Sequence, residues 1–96
     1  MKQYDITLSI HNFPRNKTND ILDIFRDNYK AEERDLFSSE TCITVSLSNF
    51  MSDLEQGDLA KTIRDEINNE VGQNCGLTIS ISRIMPSCIY EYNLED

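Results

Sequence analysis

The sequence predicts an α+β sandwich in which two helices cover one face of a small sheet, in the order β-α-β-β-α-β. Two observations carry this reading. Three segments alternate apolar and polar residues with period two, and two others repeat apolar residues every three or four positions. The polar positions of the alternating segments are mostly Ser and Thr, which predicts one buried and one wet sheet face, with helices on the buried side only.

Residues 3–11 open the pattern. Tyr4, Ile6, Leu8 and Ile10 alternate with Asp5, Thr7, Ser9 and His11, the period of a half-buried strand, and Pro14 closes it. Thr18 or Asn16 caps the first helix, which the spacing of Ile21, Leu22, Phe25 and Tyr29 places over about 18–30. Residues 31–40 carry the weakest signal, where Leu36 and Phe37 suggest a short edge strand. In the next run Ile43, Val45 and Leu47 face one way and Thr44, Ser46 and Ser48 the other. Phe50, Met51 and Leu54 then fall in a loop, as caps on the core or as an exposed contact patch.

The second helix has two candidate starts, a Ser52-x-x-Glu55 capping box and Gly57–Asp58. Leu59, Ile63, Ile67 and Val71 form its apolar ladder, and Gly72, Asn74 and Gly76 stop it. Residues 77–82 alternate again. Ile84 breaks the phase, which suggests a bulge or the strand end, and Pro86 closes the segment. This order is the split β-α-β, or ferredoxin-like, sandwich, with its second strand weak. The domain is expected over residues 1–87. Residues 88–96 form an acidic, aromatic tail that is a frayed end, an added edge strand or a docking segment.

Composition narrows the chemistry. The chain has 96 residues, 27% charged and 39% hydrophobic, enough for one globular core. No apolar run approaches the ~18 residues of a membrane span, and the N-terminus lacks a signal-peptide core. Cys42, Cys75 and Cys88 are widely spaced, as reduced thiols are. A cytoplasmic protein is expected. No cofactor or metal set is visible: there is one histidine, no C-x-x-C, and no glycine-rich phosphate loop. His11 stands alone as a solvated strand-end residue, and Cys75 reads as core. No catalytic residue is assigned. The wet face shows Thr7, Ser9, Thr44, Ser46, Thr78 and Ser80, without the rings that stack RNA bases.

The net charge is −8, from 17 acids and 9 bases. It gathers on the helices and the tail. Asp20, Asp23 and Asp27 share one face of the first helix, and Asp65, Glu66 and Glu70 cluster on the second. Asp23/Asp27 and Glu66/Glu70 are like-charge i,i+4 pairs, each costing about 0.2–0.5 kcal/mol. Acids late in the second helix also oppose its dipole. Such placement marks either a solubilising acidic surface, diluted by the interspersed Arg26, Lys30, Lys61 and Arg64, or a binding surface. A row of carboxylates imitates a phosphate backbone and suits a basic, nucleic-acid-binding protein or complex as partner. Direct contact with nucleic acid or membrane is not expected. Tyr90, Glu91, Tyr92 and Glu95 add aromatic anchors and acid at the tail.

The stretch Asn68-Asn69-Glu70-Val71-Gly72-Gln73-Asn74-Cys75-Gly76-Leu77, with its turn residues and junction cysteine, is similar to small proteins of bacteria and mobile elements. Small size, acidity, a plain α/β core and no enzyme motif together resemble the phage and mobile-element proteins of the anti-CRISPR type. That resemblance implies a stoichiometric, non-enzymatic inhibitor acting by contact, often at a nucleic-acid site. The alternative is a regulatory or assembly module that self-associates, or binds another subunit, through its neutral sheet face. Monomer and homodimer both stay open; for a dimer, that face or the edge beside residues 31–40 is the expected seam.

Overall fold

The computed structural model describes the backbone of residues 2–82 and 87–92, with side chains described for 2–82 and Tyr92. It contains β1 (Lys2–His11), α1 (Thr18–Asn28), β2 (Leu36–Ser38), β3 (Ile43–Ser52), α2 (Gln56–Val71), β4 (Gly76–Ser82) and β5 (Ser87–Tyr92). The sheet order is β2-β3-β1-β4-β5, and every neighbouring pair is antiparallel. It follows that β1 and β2 run parallel on either side of β3, and β3 and β4 parallel on either side of β1. Each helix crosses over one strand.

The alternation of the strands does what its period requires. Ile6, Leu8, Ile43, Val45, Leu47, Ile79 and Ile81 are all buried, in one cluster with Ile21 and Phe25 of α1 and Leu59, Ile63 and Ile67 of α2. Apart from the hydroxyls of Tyr4 and Tyr29 and the Cys75 thiol, no polar side chain is buried among the described residues. Both helices therefore share one face, as the Ser/Thr pattern predicts. On the other face, register stacks Thr44, Ser9 and Thr78 in one row and Ser46, Thr7 and Ser80 in the next.

Several boundaries differ from expectation. The α1 helix ends at Asn28, because Lys30 takes a left-handed φ of 54° and the Ala31 N–H turns back to the Phe25 carbonyl at 2.9 Å. Neither Thr18 nor Asn16 caps α1: its N-cap is Lys17, and the Thr18 hydroxyl donates to the Arg15 carbonyl, at a short 3-10 turn. Residues 31–40 are ordered by contacts invisible in a local pattern. Arg26 of α1 grips both oxygens of Glu33 at 2.8 and 2.9 Å, and Glu32 and Asp35 form a reciprocal capping box. The guanidinium holds the Glu33 carboxyl below the usual carboxylate range. Leu36–Ser38 then forms the expected edge strand.

The largest difference lies in β3, which continues through Phe50 and Met51, where a loop was expected. Between the pairs Tyr4↔Phe50 and Ile6↔Leu47, Ser48 and Asn49 oppose Asp5 alone. This is a β-bulge, with Asn49 at φ 59°. The Asp5 carboxylate accepts the Asn49 N–H at 3.0 Å, and Gln3 donates to the Asn49 side-chain oxygen at 2.6 Å. The extra residue resets the phase, so Phe50 returns to the core side opposite buried Tyr4. Because Ser52 pairs with Lys2 as the last residue of β3, it cannot cap α2, and its Oγ accepts the Leu54 N–H instead. The α2 helix begins at Gln56 with Glu55 as N-cap, between the two predicted starts. It ends on Gly72 at φ 79°, as predicted.

From residue 88 the tail runs as strand through Tyr92, pairing Tyr90 with Ile79, Glu91 with Thr78 and Tyr92 with Leu77. This is the edge-strand alternative. The expected irregularity at Ile84 and the acid Glu95 lie outside the described residues.

Candidate functional site: the acidic seam between the helices

The seam between α1 and α2 has two ends of different character. At one end Tyr29, the last ring of the α1 ladder, sits against Phe25 and Phe50, with centroids 5.5 and 5.1 Å away. Its hydroxyl donates to Glu66 Oε1 at 2.6 Å, and Asn28 donates to Glu66 Oε2 at 2.9 Å. Both carboxylate oxygens of Glu66 are thus engaged across the seam. Burial first, and the neighbouring carboxylate second, push the Tyr29 phenol well above its ordinary value of 10.0.

At the other end Asp20, Asp23 and Asp27 of α1 and Glu70 of α2 line one shallow groove of about 270 Å³, with Ile24 and Asn28. The i, i+3, i+7 spacing on α1 aligns its three acids, and Glu70 lies one turn beyond Glu66 on the facing helix. Asp20 has Lys17 at 3.8 Å, and Asp23 is paired with Arg26 at 2.8 Å. Asp27 and Glu70 are exposed and make no side-chain hydrogen bond or ion pair among the described residues.

The predicted acids therefore separate. Asp20, Asp23, Asp27 and Glu70 come together. Glu66 points into the seam and serves as a structural tie. Asp65 faces away, paired with Arg64 at 2.9 Å, beside a separate polar recess with Asn68, Asn74 and Tyr92. Arg64 also lies over the Tyr92 ring, 4.9 Å from its centroid, and that ring packs against the core. Tyr92 is thus half-covered rather than a free anchor. The side chains of Tyr90 and Glu91, and all of Glu95, lie outside the description.

The apolar spacing predicts Tyr29 only as a core ring, and no local pattern singles out Asn28. Tyr29 at the end of the apolar stripe, with a hydroxyl needing an acceptor, was the available signal. Cys75 is buried, donates its N–H to Asn68 Oδ1 at 3.1 Å, and has its thiol pushed up by burial, which suits core rather than nucleophilic chemistry. His11 is exposed, at the end of β1 opposite Gly76. Among the described residues no group of three or more His, Cys, Asp or Glu could hold a metal ion, and no helix is long and apolar enough to cross a membrane. Such a groove can attract and orient cationic groups. No protein-family model, no curated protein and no solved structure matches the chain.

Proposed function

We propose that this chain is a non-enzymatic acidic interaction protein on a ferredoxin-like scaffold. It binds, and by contact inhibits, a basic nucleic-acid-handling protein or complex, in the manner of the anti-CRISPR type that the sequence resembles. The core strand order β2-β3-β1-β4, with β5 appended beyond β4, supports the scaffold reading. One observation carries the function: Asp20, Asp23, Asp27 and Glu70 gather at one groove, and two of the four spend nothing on internal pairing. Unpaired carboxylates in a row keep their field directed outward, where lysine or arginine side chains replace the missing counter-ions.

The test immobilises the chain, captures its partner from cell extract, and reads the bound fraction against salt and added duplex DNA. Binding is expected to fall several-fold between about 50 and 200 mM salt, since exposed charges are screened over about 8 Å near physiological strength. Duplex DNA is expected to compete. Asp27→Lys with Glu70→Lys is expected to abolish capture without unfolding the chain. Capture that is flat with salt and survives this double reversal would overturn the reading.

A further inference from the structure

Beyond that reading, we infer that the open edge of β3 is a seam for a second copy of this chain. β2 covers only Ile43, Thr44 and Val45 of β3, while β3 runs on to Ser52. Past that point no strand lies on its outer side among the described residues. In that space an open cleft of about 470 Å³ runs along residues 47–51, walled by Asn28, Tyr29, Lys30 and Asp35. An unpaired edge offers a row of free backbone donors and acceptors, and proteins usually blunt such edges with lysine, proline, charge, a bulge or a covering loop. β3 has no charged residue and no proline from Ile43 to Ser52, and its exposed Met51 adds apolar surface. The bulge at Ser48 and Asn49 is the one such device on the strand itself, and it leaves the residues on either side of it extended.

Charge argues for a second copy rather than a basic peptide. In a chain of net charge −8, this strand is neutral, so two copies can meet here with little repulsion. The cleft wall carries one cation, Lys30, and one anion, Asp35. Lys30 has no ion-pair partner among the described residues. A two-fold interface uses the same patch twice, so Lys30 of each copy can answer Asp35 of the other. An antiparallel copy centred near Asn49 lays 47–51 of one chain on 51–47 of the other and stops short of both β2 strands. The helix acids stay outside this seam. A contact of this length falls at the small end of protein interfaces, where weak and reversible association is common.

The experiment is sedimentation from about 5 to about 500 µM chain, with backbone amide exchange at both ends of that range. A monomer–dimer equilibrium is expected, with exchange at residues 46–52 slowing at least about tenfold at high concentration and β5 unchanged. Met51→Lys, at an exposed position, is expected to restore the monomer. Monomer mass throughout, or concentration-dependent protection on the Ser/Thr face or β5 instead, would overturn the inference. So would a dimer indifferent to Met51→Lys, or protection of 46–52 that appears only with an added foreign partner.

Discussion

Glu66 and Glu70 stand one turn apart on α2, facing the same neighbour, yet the two ends of the seam they mark behave differently. At the Glu66 end the carboxylate accepts from Tyr29 and Asn28, and the ring below it closes the core. At the Glu70 end, four acids surround a groove and two of them have no partner. The first end spends its charge on holding the helices together. The second leaves like charges close, at a small cost in helix stability. Identical residue types at helical spacing thus do opposite things, depending on what the facing helix presents.

The comparison breaks most visibly at Tyr29. Tyr29→Ala removes two ring contacts and the donor to Glu66, and is expected to cost about 3 kcal/mol or more in denaturant unfolding. A loss below about 1 kcal/mol would show that the tied end is not holding the seam. Glu66→Ala is expected to cost about 1–3 kcal/mol, since the half-buried Tyr29 hydroxyl loses its acceptor. The same change at Glu70 is expected to stay within about 0.5 kcal/mol. Equal losses at the two positions would erase the distinction.

Alkali sharpens it further. The Tyr29 phenol is raised in the folded chain, so the stability it contributes is fully present below the ordinary tyrosine value of 10.0 and is lost as pH climbs beyond it. Tyr29→Phe is expected to flatten the decline in melting temperature above pH 10 relative to the parent, while Glu70→Gln leaves that decline alone. The smallest effect belongs to the free end. Asp27→Asn with Glu70→Gln is expected to stabilise the chain by a few tenths of a kcal/mol at low salt, a gain that shrinks as salt rises. A loss of stability instead would mean that these acids have structural partners after all.

Much of this molecule is legible in one dimension. The Ile and Leu residues of β1, β3 and β4 announce their face by period two, and Leu59, Ile63, Ile67 and Val71 announce theirs by period four, because burial of a regular element repeats with its geometry. Gly72 marks the end of α2 for the same local reason, since a left-handed residue is cheapest without a side chain. The clustering of acid on the helices is equally a property of the sequence.

What tertiary structure decided are the contacts between residues distant in the chain. The bulge at Asn49 depends on the Asp5 carboxylate 44 residues away, and with it the return of Phe50 to the core. Arg26 orders residues 31–40 by reaching Glu33 across the end of a helix. Strand β5 has an edge to pair with only once β4 is in place. Whether an acid is a tie or a free charge is settled by the facing helix, because a carboxylate's role is set by the donors within reach, and neighbours across a seam leave no period in the sequence.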